Sequence, residues 1–189
     1  ERLPIQREAK IVVGNALLLD WRTVLEPTDD VIVAGNPPFL GDSSRTREQL
    51  AELQTAWGGN KTLSRMDYVT GWHGQALRYL DCHSARWAFV TTNSVTQGDP
   101  VPRLFGEIYR AGWQIAFAHR TFPWKSEAAG AAAVHCVIIG FMRSLQRPPR
   151  LWTYAQDVSL PTVSSAANIN AYLFDAPNVL IDKRTRPLH

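Results

Sequence analysis

The chain has 189 residues, 45% of them hydrophobic and 20% charged, which is enough for one well-buried domain of ordinary composition and excludes a disordered or collagen-like chain. A formal net charge of +3 and a pI near 9.1 permit a polyanionic partner without demanding one. Cys82 and Cys136 belong to no Cys-x-x-Cys or Cys/His spacing, so no metal site is expected; a reducing compartment fits, and with no signal peptide or membrane-length apolar run a cytoplasmic location is expected.

In chain order, Lys10-Ile11-Val12-Val13 reads as a short strand, followed by Gly14-Asn15-Ala16. Residues 31–34 read as the next strand, which Gly35 and the prolines after it must stop, since proline lacks a ladder donor and fixes its own φ. Between Ser43 and Trp57, residues 47–54 look helical and amphipathic, with Gly58-Gly59-Asn60 as the terminator. A second helix is expected over about 67–80, where Val69, Trp72, Ala76, Leu77 and Leu80 fall near helical spacing and its aromatic residues read as core. Residues 86–92 form a strand ending in Thr91-Thr92-Asn93-Ser94, and a polar cluster at such a strand end borders the ligand crevice in doubly wound sheets. Gln97-Gly98-Asp99-Pro100 opens a helix to about Ala111. Residues 113–119 and 131–142 are the last clear strands; joined without a helix across residues 120–127, they are expected to pair antiparallel. Cys136, inside an apolar run, reads as core filler. The alternation as a whole is that of an α/β domain.

The most informative run is Val31-Ile32-Val33-Ala34-Gly35-Asn36-Pro37-Pro38-Phe39-Leu40-Gly41. It delivers a stiff loop in which Asn36 brings an amide that can accept and donate, Pro37 a bare carbonyl and Phe39 a flat apolar face. An amino nitrogen on adenine, cytosine or an amide is a poor nucleophile because its lone pair is delocalised into the adjoining π system. Two acceptors aimed at its hydrogens, the Asn36 side-chain oxygen and the Pro37 carbonyl, would pull it toward a tetrahedral arrangement and turn the lone pair toward an incoming methyl group. Acceptors fixed beforehand stabilise charge as it develops, and in-line placement adds the proximity contribution. A ring such as Phe39 stacked on the base suits enzymes that flip a nucleotide out of the duplex. The purely structural reading of the same residues is a rigid Pro-Pro turn closing a strand.

Asn36-Pro37-Pro38-Phe39 resembles the Asn-Pro-Pro-(Tyr/Phe) motif of S-adenosylmethionine-dependent amino methyltransferases, in particular the adenine-N6 DNA methyltransferases. Residues 89–98, 117–124 and 133–141 look like further blocks from MmeI-like restriction-modification proteins, in which nuclease, adenine methyltransferase and target-recognition parts share one polypeptide. The resemblance covers most of residues 9–188. It implies a partial Rossmann-like methyltransferase fold, α/β with a mostly parallel sheet ending in an antiparallel hairpin. It also implies methyl transfer from S-adenosylmethionine to adenine N6 in double-stranded DNA, with the protein associated with the nucleoid. Carried over, Asn36, Pro37, Pro38 and Phe39 take the target-amino and base-stacking positions. Asn15 stands where related enzymes place a polar side chain near the cofactor adenine, with Asp20 as the nearby carboxylate alternative. Phe122 or Trp124 forms the second face of a base sandwich, or closes the hairpin over the core.

One departure limits the reading. Such enzymes place a Gly-rich cofactor loop after their first strand and an acidic residue after the second; no Gly-x-Gly occurs here, and the match begins near the family's third strand. The chain is therefore expected to be a fragment, inactive alone, whose partners are DNA and the remainder of the parent polypeptide. Residues 1–150 would be the C-terminal part of the catalytic domain, and residues 151–189 its end and a linker toward target recognition. Basic Lys183, Arg184 and Arg186 in the tail, and Arg45, Arg47, Lys61 and Arg65 around the motif, fit phosphate contacts or equally a solvated face. The alternatives are a protein-glutamine or RNA amino methyltransferase, and a non-catalytic nucleic-acid-binding module.

Overall fold

A computed structural model of the chain describes residues 9–63, 65–124, 134–155 and 160–181. Residues 125–127 of the expected hairpin connection, the first residues of the expected 131–142 strand and the Lys183, Arg184 and Arg186 cluster lie outside the described residues. Six strands form one sheet: β1 (Ile32–Gly35), β2 (Arg86–Thr92), β3 (Gln114–Trp124), β4 (Val134–Met142), β5 (Arg150–Thr153) and β6 (Thr162–Ser165), in the spatial order β1-β2-β4-β3-β5-β6. Helices α1 (Arg47–Ala56) and α2 (Thr70–Tyr79) connect β1 to its parallel neighbour β2, and α3 (Pro100–Arg110) connects β2 to β3. The expected hairpin is present: β4 pairs antiparallel with both β2 and β3 and inserts between them. β3 then pairs parallel with β5, which pairs antiparallel with β6. The sheet is thus mixed, with β1, β2, β3 and β5 running one way and β4 and β6 the other.

Local chemistry explains the helix ends. Thr46 and Gln49 form a reciprocal capping box at the start of α1. At its other end Gly58 (φ 60°) and Gly59 (φ 84°) donate to the carbonyls of Thr55 and Gln54, the Schellman pairing that only a left-handed residue such as glycine closes without strain. In α3 the buried residues Val101, Leu104, Phe105 and Ile108 recur at helical spacing and face the sheet. The Arg143 guanidinium donates to carbonyls at the C-terminal ends of α2 (Leu80, Asp81) and α3 (Ala111) and lies 4.6 Å over the Trp113 ring, tying both helices to the end of β4.

The core lies between the sheet and these helices. Alternation along β2 turns Trp87 and Phe89 inward; the Trp87 ring stacks on Phe141 of β4, its register partner, at 4.1 Å between centroids. Trp113, Phe105, Ile115 and Ile139 complete this layer, and Cys136 is fully buried as a core-filling thiol. His73 of α2 is also enclosed, ringed edge-on by Trp87, Phe89 and Phe141. Along β3 and β5 a second aromatic row runs through Phe117, Trp152, His119 and Tyr154, with His119 and Trp152 stacked at 4.6 Å.

Three elements differ from the sequence reading. Residues 10–13 form no strand: Ile11 and Val13 are 84% and 96% exposed, and the run pairs with none of the six strands of the sheet. Strand β3 runs on through Phe122-Pro123-Trp124, where a separating connection was expected; β5 pairs with β3 only over Phe117–His119, so Pro123 stands at an edge, the setting that tolerates proline. The second helix begins at Thr70 rather than near Asp67, because Asp67 is used as an acceptor ahead of it.

Candidate functional site

β1 ends at Gly35, over which the Phe89 ring lies 3.6 Å from where a Cβ would stand. The chain then turns out through Asn36, Pro37 and Pro38, which line a cavity of about 360 Å³ with Val33, Ala34, Trp21, Trp72 and Phe89. Asn36 is exposed and Pro37 buried. Neither the Asn36 amide nor the Pro37 carbonyl makes a hydrogen bond among the described residues, whereas both flanks of the loop are held. On one side β1 is locked to β2 in parallel register. On the other, Leu40 donates its N–H to Asp67 Oδ1 (3.1 Å) and accepts from the Tyr68 N–H (3.0 Å). Four residues, two of them proline, span these anchors, so the acceptors are held by a short, stiff chain with their own hydrogen-bonding capacity unspent.

The aromatic walls are equally fixed. Trp21 donates its indole N–H to the Ala16 carbonyl (2.9 Å) and meets Tyr79 edge-on at 5.7 Å. Trp72 of α2 stands edge-on to Tyr68 at 5.4 Å, and burial together with the Glu52 carboxylate, which accepts a hydrogen bond from the Tyr68 hydroxyl, pushes that phenol up to about 12. Beside the loop, Asp67 Oδ2 accepts from the Thr92 hydroxyl (3.0 Å), itself 2.7 Å from the Ser94 hydroxyl at the end of β2. The polar end of β2 and the Asn-Pro-Pro loop are therefore joined through one carboxylate. A pocket walled by three large rings, with Asn36 and Pro37 in its lining, can receive a planar group.

The other sequence-derived residues are distributed around this centre. Phe39 is half-buried and packs against the core cluster, outside the cavity lining. Asn15 is exposed; its Oδ1 accepts from the Leu17 N–H (3.0 Å), and its amide stands beside Tyr68. Asp20 caps a short 3-10 turn (Trp21–Thr23) through the Arg22 N–H (3.0 Å) and lines an adjoining cavity of about 250 Å³ that shares Trp21 with the first. Phe122 and Trp124 sit at the end of β3, 6.2 Å apart, with Phe122 also 5.0 Å from Tyr154; neither lines the cavity at Asn36. Of the residues with no site role in the sequence reading, Trp21 and Phe89 line the cavity and Asp67 ties it together, and Trp72, expected in the core, is half-buried and lines the cavity as well. The signal for Asp67 was its place just before a helix, which reads as a local cap and says nothing of its distant partners. Among the described residues no group of His, Cys, Asp and Glu could hold a metal ion, and no helix is long and apolar enough to cross a membrane.

Comparison with known proteins agrees with this architecture. The DNA-methyltransferase domain model of the MmeI family matches residues 1–153. A curated relative, DNA methyltransferase A of Bacillus subtilis (strain 168), is 34% identical over 188 residues, which is 98% of this chain and 21% of that protein. The type IIL restriction-modification enzyme MmeI, solved in complex with DNA, superposes with a TM-score of 0.88 at 40% identity, over 98% of this chain and 25% of its own. A chain of a type I restriction-modification system matches at a TM-score of 0.50 and 20% identity over 76% of this chain and 26% of its own, a likeness of fold alone. This chain thus spans about a fifth to a quarter of the length of the first two relatives. On the family match and the identity over nearly its whole length, the chain belongs to the MmeI DNA-methyltransferase domain family.

Proposed function

We propose that this chain carries the target-base side of an adenine-N6 DNA methyltransferase within a restriction-modification protein. The observation that supports it most is the pair of unspent acceptors, the Asn36 amide oxygen and the Pro37 carbonyl, held on a short anchored loop beside an aromatic-walled cavity. In this reading the two acceptors take the two hydrogens of the adenine amino group and turn its lone pair outward. As the new N–C bond forms, positive charge grows on that nitrogen; the fixed acceptors stabilise it, and one of the two protons leaves to water as the product becomes neutral. In this reading the stacking faces for the flipped base are Phe39 and either Phe122 or Trp124, which in this structure stand outside the cavity lined by Asn36 and Pro37.

The methyl donor in this reading is S-adenosylmethionine, which when bound would supply an electrophilic methyl group on a sulfonium and depart as the neutral thioether as its C–S bond breaks. The residues present fit it in part. Asp20 spends one side-chain oxygen on the Arg22 N–H and keeps the other for a ligand, whereas Asn15 spends its Oδ1 on the Leu17 N–H and turns its amide to Tyr68, both on the segment leading to Trp21 and the cavity. The Gly-rich part of the cofactor site is assigned to other parts of the parent polypeptide, as is sequence recognition, toward which the chain beyond residue 150 leads. The partner is double-stranded DNA, and the location is the cytoplasm.

The test is transfer of a labelled methyl group by the full-length parent protein to adenine-containing duplexes, beside cytosine-only duplexes, RNA and glutamine peptides. Label at adenine N6 is the expected result. Label only on RNA or peptide, or none on DNA when the cofactor is bound, would overturn the reading.

A further inference from the structure

The Asp67 carboxylate serves three separate segments. Its Oδ1 accepts from the N–H of Leu40 (3.1 Å), where the Asn-Pro-Pro loop ends, and from the N–H of Val69 (3.2 Å) at the entry to α2. Its Oδ2 accepts from the hydroxyl of Thr92 (3.0 Å), the last residue of β2. A helix cap needs only the bond to Val69. The other two partners lie 27 and 25 residues away, one at the far end of the loop after β1 and one at the end of β2. From Asn36 to Phe39 the loop has few soft dihedrals, because two of its four residues are proline, so fixing Leu40 restricts where the Asn36 amide and Pro37 carbonyl can point. The half-buried carboxylate meets three donors, and its two oxygens have lone pairs enough for all of them.

Resting on the amino-methylation reading, we infer that Asp67 is a positioning residue that sets the Asn36–Pro37 acceptors against the polar end of β2. It touches no substrate; it acts through Leu40 and Thr92. Asparagine at this place keeps an oxygen for the Leu40 and Val69 amides and offers an N–H to the Thr92 hydroxyl, which can reverse its role and accept. Alanine keeps none of the three bonds. Thr92→Val removes the link from Asp67 to β2, together with the Thr92–Ser94 hydroxyl contact, and leaves the loop anchor and helix entry intact.

The experiment compares the full-length parent with its D67A, D67N and T92V variants. It reads single-turnover methyl transfer to an adenine duplex, duplex affinity, the fluorescence of 2-aminopurine at the target position, and the melting temperature. A displacement of about 1 Å at such a site costs on the order of 10²-fold in rate. D67A is expected to lose about that much while binding duplex within a few-fold of wild type, and to lose the fluorescence level of the seated base. D67N is expected to recover the greater part of both, and T92V to lower the rate by about tenfold at an unchanged melting temperature. Unchanged transfer in D67A, or a D67A loss matched by its fall in melting temperature and restored by cooling, overturns the inference. If D67A does not fold, T92V decides: undiminished transfer and fluorescence overturn it. Wild-type protein that leaves adenine unmethylated would instead sink the functional reading itself, so the two failures are distinguishable.

Discussion

Two loops of this protein use asparagine in opposite ways. In the segment from Ala167 to Ala176, Asn170 Oδ1 accepts from the N–H groups of Tyr172 and Phe174 (both 3.0 Å), and Asp175 Oδ1 accepts from those of Ala167 (2.9 Å) and Asn168 (3.2 Å). The Asn168 amide donates to the Ala176 carbonyl (2.6 Å) and to Asn178 Oδ1 (3.1 Å). This network holds Leu173 at φ 59°, a left-handed conformation unusual for leucine. In the loop after β1, by contrast, the Asn36 side chain forms no hydrogen bond among the described residues, and stiffness comes from two prolines and the anchors at its ends. Side chains that satisfy their own backbone staple the fold, whereas an amide rigidly displayed with its capacity unspent is available to a ligand.

The largest effect that follows is on activity. Asn36→Ala in the full-length parent is expected to lower methyl transfer by about 10²–10³-fold, the cost of removing one preorganised group at a developing charge, with cofactor affinity and melting temperature nearly unchanged. Transfer retained within a few-fold would erase the functional half of the contrast.

A third group with unspent capacity sharpens it. Both nitrogens of His73 lack a hydrogen-bond partner, but the ring is buried, and burial lowers its pKa from 6.5 to about 3. As pH falls below about 6.5 the unfolded chain takes up a proton that the folded chain refuses. The stability carried by neutral His73 is therefore complete above that pH and is lost as pH falls toward about 3, by up to about 1.4 kcal/mol per pH unit. Denaturant titrations from pH 7 to 4 should show this slope, and His73→Phe should flatten it; an equal slope in both proteins would show that the ring is already charged or hydrated when folded.

Asn170→Ala is expected to cost about 1–3 kcal/mol, because two backbone N–H groups lose their acceptor in a strained turn. Equilibrium unfolding should show that loss, with methyl transfer preserved wherever the protein remains folded. The smallest effect is expected at Asp20, the exposed cap of the Trp21–Thr23 turn: Asp20→Ala should cost about 0.5–2 kcal/mol as a cap. A fall in cofactor affinity in the same variant would move Asp20 from the stapling group to the ligand group.

Much of this was legible in the sequence where the physics is local. The apolar run of β1 and its proline stop, the helical spacing of Leu104, Phe105 and Ile108, and the Gly58-Gly59 terminator depend on neighbours within a few residues. The antiparallel pairing of β3 and β4 was legible because the sequence between the two expected strands carries no helical pattern. The run Ile11-Val12-Val13 carried the same kind of apolar signal and misled, since a strand exists only if another edge receives it. The connection expected from residue 120 proved to be strand as far as Trp124, Pro123 included, because what lies beside β3 there decides whether a missing N–H matters.

By itself the sequence determined the stiff Asn36-Pro37-Pro38-Phe39 loop, the order and type of the main elements from β1 to β4, and the family resemblance, since periodicity, proline geometry and turn chemistry all act over short stretches of chain. Only the tertiary structure decided that Phe39 packs on the core while Trp21, Trp72 and Phe89 line the cavity, and that Asp67 joins the loop to Thr92. Those contacts close over tens of residues, and which side chains meet is set by how the helices and strands pack rather than by any pattern along the chain.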